Sequence, residues 1–432
     1  MQNPVNGNFL AFDFGTSNSV AGAYVNGNKI FDIPLDPVAS DATLMRTLLY
    51  FPSSSVCYYG AEAIQKYIEN DMQGRLFRSF KSHLPNQEYM GTFINDRVVT
   101  LENMVGIFLL EMKKRAEKYL GVQFDQLVCG RPARYSMDPV MDGFALHRME
   151  KAIQFAGFRK SFFVAEPLAA AFDFKTSLKT EKTVLVGDFG GGTSDFTLIR
   201  LRPDTFTKED VLSIEGCPLA GDSLDALFMQ NKLCQFFGAK TKYRVLFGSN
   251  VLTMPPHIMQ RLNQPAHIVH LSEKETYEFI KRVEKGAITL EDKKCLDRLL
   301  VLIDDQQIFP FFEAIELVKR QLSDNNKTTF VFDYPDIEIE QDFSKGEFQE
   351  WATPNKDKIF QALDRCLEQA GKRTEDVDLI CLTGGTAKVP FIKDQFVQRF
   401  GTEKIQSTSH FHSVLRGLVE AAERLAQNES VI

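Results

Sequence analysis

Two stretches of this chain repeat one plan. Residues 184–201 read VLVGDFGGGTSDFTLIRL and residues 9–24 read FLAFDFGTSNSVAGAY. Each is an apolar strand that runs into Asp-Phe-Gly, then a small hydroxylated turn, then a second strand. Glycines at such a turn let backbone N–H groups face an anion with no Cβ atoms in the way, which is the chemistry of a phosphate nest. Two copies, with Asp13 and Asp188 at the same place in each, imply a duplicated fold that clamps one polyphosphate from both sides.

The same aspartates imply a metal. A carboxylate ~4 Å from a phosphate charge is repelled by about 4 kcal/mol at an effective dielectric near 20, so a divalent cation has to stand between them. Mg²⁺ keeps several of its waters, and Asp13 and Asp188 are expected to hold it through water as it bridges phosphate oxygens. Either loop alone reads equally well as a turn that draws on Gly, Asp and Ser; the repeat is what favours phosphate. His257, His267 and His270 fall close together but bring no Cys or Glu ligand pattern, and read as surface or core histidines.

The elements that must position these loops follow from pattern. Asn26-Gly27 is a hairpin signal that makes the chain open on a β-meander. Val105, Phe108, Leu109, Met112 and Ala116 share one face of a helix expected over 102–119. A strand at 126–129 and a helix at 138–156 follow, and then a strand at 161–165 runs into Glu166-Pro167. Pro167 biases Glu166 toward extended geometry, which puts its carboxylate at the strand's carboxyl end; the bland reading is a helix-start carboxylate. After the second loop, Gly221-Asp222-Ser223 opens a helix through 237 with Asp222 or Ser223 as its cap. Residues 238–305 read as a peripheral, largely helical subdomain. A helix at 310–322, polar strands within 328–339, a helix at 356–370 ended by Gly371 and a strand at 377–383 are expected to complete the second sheet. Gly384-Gly385 lead into a helix at 389–400, and a helix at 412–427 closes the chain. The expected domains are lobe I, 1–182, with a peripheral subdomain about 39–101, and lobe II, 183–432, with an enlarged helical subdomain about 226–312.

Composition narrows the function. The 432 residues are 44% hydrophobic and 25% charged with net charge −7, ordinary for a globular protein and enough for two or more cores. No long basic block is present, which argues against nucleic acid or a membrane surface as partner. MQNPVNGN shows no basic n-region followed by an apolar h-region and no run of 18 apolar residues occurs, so neither a signal peptide nor a membrane span is expected and a cytoplasmic location is. Seven scattered cysteines with no C-x-x-C pair read as reduced thiols, with Cys129 and Cys381 in apolar strands as core residues.

Five ordered pieces then carry a resemblance: FDFGTSNS at 12–19, AEPLAAA at 165–171, GDFGGGTSDF at 187–196, IELVKRQLS at 315–323 and LTGGTAKVP at 382–390. Together they resemble the actin-like ATPase superfamily, and within it the nucleotide-binding domain of the seventy-kilodalton (DnaK-type) heat-shock chaperones. The long segment between Asp225 and Glu316 resembles the stand-alone YegD-like branch. The resemblance implies an α/β fold, the duplicated actin-like ATPase (ribonuclease H-like) fold, two-lobed with a nucleotide cleft between the lobes. It implies ATP or ADP, Mg²⁺ and K⁺ as cofactors. Gly15, Thr16, Ser17, Gly190, Gly191, Gly192 and Thr193 would cradle phosphate, and Asp13, Asp188 and Asp195 would surround the metal and monovalent ions. Glu166 would position the attacking water with Thr193 beside the γ-phosphate. Lys81, in RLFRSFKSHL, resembles the catalytic lysine; the same run otherwise reads as a solvated basic helix face. Glu316, Lys319, Arg320 and Ser323 would meet adenine and ribose, and Gly384 and Gly385 the α-phosphate or sugar. Lys388 stands where the family commonly has an adenine-stacking Arg, and Lys has no planar face for that contact.

The implied function is a chaperone-like protein that binds and slowly hydrolyses ATP. Its partners would be nucleotide and a co-chaperone or exchange factor, and it would be a monomer. The chain stops soon after its last expected helix, so client binding in a peptide-binding domain is not expected of it. An actin-fold small-molecule kinase and a nucleotide-gated filament or scaffold protein are the alternatives, since all three use the same phosphate clamp.

Overall fold

Strand Phe9–Phe14 runs antiparallel to Asn18–Val25, which turns through Asn26 and Gly27 into Asn28–Ile30. Both turn residues have positive φ, 51° and 85°, the geometry that makes Asn-Gly the favoured two-residue hairpin. Gln126–Arg131 lies parallel to the opening strand, and Lys160–Ala165 lies parallel to Gln126–Arg131. The second sheet has the order Val211–Cys217, Ser194–Leu201, Lys182–Phe189, Leu379–Thr383, Ile405–Gln406. Both sheets therefore hold an antiparallel hairpin with the Asp-Phe-Gly loop at its turn and a parallel strand beside its first arm.

This computed structural model describes residues 7–70, 73–94, 97–136, 138–175, 180–203, 208–245, 250–263, 271, 273–406 and 413–427. The chain divides into two compact units. One is Met1–Pro218, Ile359–Ala387 and Ile392–Ile432; the other is Leu219–Lys358 and Lys388–Phe391. His267 and His270 lie outside the described residues, as does the expected start of the last helix at 412; that helix is described as Ser413–Ala426.

Strand pleat divides the side chains of the opening strand between two cores. Leu10, Phe12 and Phe14 point into a core with Phe80, Phe108 and Met112. Phe9 and Ala11 point the other way, into a core shared with Val184 and Val186 of the second sheet and Leu418 of the last helix. That alternation is the period-two signature of a strand buried on both faces. Local chemistry fixes the helices around these cores. Thr100 caps Leu101–Leu120 by accepting from the Asn103 N–H at 3.2 Å, and Asp138 caps Pro139–Phe155 by accepting from Val140 and Met141, each worth about 1 kcal/mol. Gly371, with φ 62°, follows the helix Lys345–Gln369 at its carboxyl end. All seven cysteines are thiols outside any disulfide, and Cys129 and Cys381 are fully buried in strands.

Three expectations need correction. Helix Gly221–Phe228 has Ala220 at its N-cap with no side-chain cap; Ser223 lies inside the first turn, where its hydroxyl donates to the Ala220 carbonyl at 2.7 Å. Helical structure does reach Phe237, but through a π-helical segment, Met229–Leu233, and a 3₁₀ turn, Cys234–Phe237. The polar strands Lys327–Tyr334 and Ile337–Ser344 form a two-stranded sheet of their own and do not join the second sheet. They bury one face only, with Phe330, Ile337 and Ile339 inside. The following helix starts at Lys345, because Ser344 and Glu347 form a capping box in which each bonds the other's backbone N–H; Pro354 is accommodated inside it.

The last helix packs on Glu166–Lys175, and a Cβ at Gly417 would fall 1.8 Å from the Ala169 carbonyl oxygen. Gly417→Ala is expected to cost about 2 kcal/mol or more by forcing the two helices apart. Urea unfolding measures it, as a lower midpoint at unchanged slope; an unshifted midpoint would mean that the close approach carries no energy.

Candidate functional site

The three aspartates are the ends of apolar rows. Phe9 and Ala11 precede Asp13 on one strand face, Val184 and Val186 precede Asp188, and Ile199 and Leu201 follow Asp195, all of these apolar side chains belonging to one core. Asp188 and Asp195 are directly opposite in the second hairpin. Period-two alternation thus aims all three carboxylates from the rim of a single core. Asp188 accepts from the Thr383 hydroxyl and Asp195 from the Thr193 hydroxyl, both at 2.8 Å. Asp188 and Asp195, with Pro132, Pro167 and Thr197, line a cavity of about 10 Å³, close to the room one water requires.

Lys81 joins this group from the neighbouring core. It sits on a 3₁₀ turn, Phe80–His83, entered through Ser79 at φ 54°. The alternative reading of its run as a solvated helix face does not hold: Lys81 is 7% exposed. Its Nζ donates to the Phe14 carbonyl, pairs with Glu166 Oε1 at 3.2 Å and lies 5.5 Å from the Phe14 ring centroid. A lone buried ammonium would cost several kcal/mol, so the pair is what makes the position tolerable. Glu166 is 9% exposed and is the first residue of its helix. It is helical rather than extended, yet it stands directly after strand Lys160–Ala165.

Electrostatically the cluster holds more carboxylates than cations. Burial, followed by the Glu166 charge, holds the Asp13 carboxyl well above the usual range against the opposing pull of Lys81. Burial and then Glu166 push Asp188 up to about 6, with Thr383 and Lys81 opposing. Burial pushes Asp195 up to about 7, with the Thr193 bond opposing and Asp188 and Glu166 adding to the rise. Four carboxylates, Asp13, Glu166, Asp188 and Asp195, thus surround one ammonium, that of Lys81. Among the described residues no three His, Cys, Asp or Glu side chains are grouped closely enough to ligate one ion directly.

The loops are tied to one another. Gly384 has φ 82°, and a Cβ there would meet the Phe189 carbonyl at 2.1 Å, so this close crossing requires glycine. Thr386 donates to the Gly190 carbonyl at 3.0 Å. Around Gly192 and Gly385 a Cβ would meet nothing within 4 Å, which leaves open space beside the backbone of both loops. In the first loop Thr47 donates to the Gly15 carbonyl, its own N–H bonds the Ser17 carbonyl, and its hydroxyl meets Ser19. Thr16 belongs to the same turn. Gly191 lies between Gly190 and Gly192 in the second.

The remaining expected residues belong to the other unit. Glu316, Lys319, Arg320 and Ser323 are on helix Ile308–Asp324, and Lys388 ends the 3₁₀ turn Gly385–Lys388. Lys319 pairs with Asp225 Oδ1 at 2.8 Å, and burial pushes Asp225 up to about 6 against that pairing. Ser323 donates to the Lys319 carbonyl at 3.4 Å, and Arg320 is exposed. Sequence reasoning missed Asp225 and Thr383. Thr383 could have been found, since it directly precedes the Gly384-Gly385 pair; Asp225 could not, because its partner is 94 residues away.

These raised carboxyls give the site a definite pH dependence. Asp13, Asp188 and Asp195 bind protons more tightly folded than unfolded, so their contribution to stability is full below the ordinary aspartate range near 4 and is lost as pH rises through about 6 and about 7. Asp195→Asn is therefore expected to raise the stability of the metal-free protein at pH 8 by roughly 1–2 kcal/mol and to flatten its decline between pH 5 and 8. Urea titrations in chelator across that range measure it. A variant no more stable than wild type at pH 8 would remove the argument for repulsion.

Similarity to known proteins agrees with this architecture. A family model described as "Hsp70 protein" matches residues 59–270 and 300–423. The chain is 24% identical over 428 residues to the chaperone protein DnaK of Thermosipho melanesiensis, covering 97% of this chain and 60% of that relative's length. No described helix is long and apolar enough to cross a membrane. The paired hairpin sheets are the duplicated α/β architecture of actin-like ATPases, and with the family match over most of its length the chain belongs to the Hsp70 family.

Proposed function

We propose that this protein is a chaperone-like ATPase of the stand-alone YegD-like kind, with lobe I at 1–182 and lobe II at 183–432. It binds Mg-ATP and hydrolyses it slowly, with a change in lobe arrangement as output. The observation that carries the reading is the buried Lys81–Glu166 pair set among Asp13, Asp188 and Asp195. The donor set is compatible with Mg²⁺ held through water, because it is acidic in excess and its carboxyls are raised by burial and mutual repulsion. K⁺ fits the same excess. When bound, Mg-ATP supplies the transferable phosphoryl group and the positive charge that the cluster lacks.

The protein's own groups have separable tasks. Gly191, Gly192 and Thr193, with Gly15, Thr16 and Ser17, offer backbone N–H groups to phosphate oxygens, and Gly190 closes the second turn through its own N–H bond to the Thr193 carbonyl. Lys81 holds a fixed ammonium toward the transferring phosphate, where charge is worth more than in water. Glu166, kept in place by Lys81, orients a water and accepts its proton. Asp13, Asp188 and Asp195 hold the cations. Glu316, Lys319, Arg320 and Ser323 offer one helix face to ribose and adenine; Gly384 and Gly385 are assigned to the α-phosphate or sugar, and Lys388 to the adenine, by the same resemblance. Its partners are nucleotide and a co-chaperone or exchange factor, and it acts as a cytoplasmic monomer.

Single-turnover reaction with γ-labelled ATP and Mg²⁺ tests this. Free phosphate is expected as the product. Asp188→Asn is expected to stay folded and lose Mg-dependent turnover by about 10²-fold or more. Glu166→Gln should slow hydrolysis by roughly 10²–10⁴-fold while nucleotide affinity changes little. Label appearing on an added metabolite would replace the reading with a kinase, and turnover insensitive to Asp188→Asn would remove the metal assignment.

A further inference from the structure

Arg148 is the largest fully buried side chain in the first unit, at 1% exposure, and nothing in the chemistry above uses it. It projects from helix Pro139–Phe155 into the segment that follows the Lys81 turn. Nη1 donates to the carbonyls of His83 at 3.3 Å, Leu84 at 3.4 Å and Asn86 at 3.0 Å, and Nη2 to that of Tyr89 at 2.8 Å. Nε lies 3.1 Å from Glu102 Oε1, an ion-pair contact, and the Phe144 ring covers the guanidinium at 4.4 Å.

The segment's own backbone bonds are single turns: Leu84 to Lys81, Asn86 to His83 and Tyr89 to Asn86. It has no ladder to hold its carbonyls, and carbonyls turned inward need donors. A planar guanidinium with five N–H groups can serve four carbonyls spread over seven residues. A lysine, with three donors at one point, cannot, and an apolar side chain would leave them all unsatisfied. Lys81 begins the segment that this fork fixes.

We propose that Arg148, oriented by Glu102, is a positioning residue for Lys81: by clamping the carbonyls of residues 83–89 it keeps the Lys81 ammonium on the Phe14 carbonyl and Glu166. The clamp stands on its own geometry, and its consequence for hydrolysis rests on the ATPase reading. A test in two arms separates the two. In the first, the full chain carrying Arg148→Lys or Glu102→Gln is treated with N-hydroxysuccinimidyl acetate, and acetylation of each lysine is followed by mass spectrometry. Lys81 should react roughly tenfold faster in Arg148→Lys, and less so in the milder Glu102→Gln, while Lys113 on the neighbouring helix stays within about twofold. An unchanged Lys81 rate overturns the proposal. Equal acceleration at Lys81 and Lys113 also overturns it, since the substitution would then have loosened the whole unit.

In the second arm, single-turnover hydrolysis is compared for Arg148→Lys, Lys81→Met and the double variant. Action through Lys81 requires the double variant to be no slower than Lys81→Met alone; additive losses would mean that Arg148 acts elsewhere. Should wild type leave ATP intact, the ATPase reading fails while the acetylation arm still decides the clamp.

Discussion

Everything in the candidate site depends on one buried ion pair, Lys81 with Glu166. It is enclosed on the apolar side by Phe14, Phe80 and Phe108, whose rings lie 5.8–6.1 Å apart in a mutual cluster. Such a pair adds little net stability, because desolvation of both groups offsets their attraction, but breaking it would strand a charge at a cost of about 3–5 kcal/mol. The pair also sets the field for its neighbours. Glu166 raises Asp13, Asp188 and Asp195, and Lys81 opposes each rise without cancelling it. One ammonium faces four carboxyl groups, and their mutual repulsion adds to burial in holding three of them toward the protonated form.

Strand pleat explains why those carboxylates meet. Each of the three aspartates continues an apolar row of one core, and a register slip of one residue would turn all of a strand's row to the opposite face. The fold is thus specified by the same alternation that aims the chemistry. Duplication supplies the rest, since two hairpins of like plan present their loops from two sheets. The copies differ where it matters: Asp195 faces Asp188 across the second hairpin, whereas Val20 faces Asp13 across the first. The second loop carries the extra carboxylate, and Val20 is a core residue.

How much of this was legible depended on sequence distance. The Asp-Phe-Gly loops were readable because the glycines of a phosphate nest and the carboxylate expected to face a cation fall within about ten residues of each other. The hairpin at Asn26-Gly27 was readable for the same reason, whereas Asp138, expected as the start of its helix, is its N-cap. Lys81 was ambiguous, since RLFRSFKSHL is buried only through Glu166, 85 residues later, and through a segment clamped by Arg148. The helix that starts at Lys345 reads as a later one from sequence, since Pro354 ordinarily breaks a helix interior, while the capping pair Ser344 and Glu347 decides its start. The strands of Lys327–Tyr334 and Ile337–Ser344 carried a true strand signal, but alternation does not say which sheet a strand joins.

The side chains expected to meet a ligand are already bonded within the protein: Lys81 to Glu166, Lys319 to Asp225, Asp188 to Thr383 and Asp195 to Thr193. A ligand at these groups must compete with those bonds, so its net affinity is the difference between two sets of contacts rather than the sum of one. The same bonds restrict rotamers, so the groups reach a ligand with little further ordering. That is the condition under which fixed dipoles and charges lower a barrier, because they need not reorganise when charge develops. Arg148 extends the logic one step outward. It touches none of these groups, yet the backbone it clamps is the one whose turn sets where the Lys81 charge can stand.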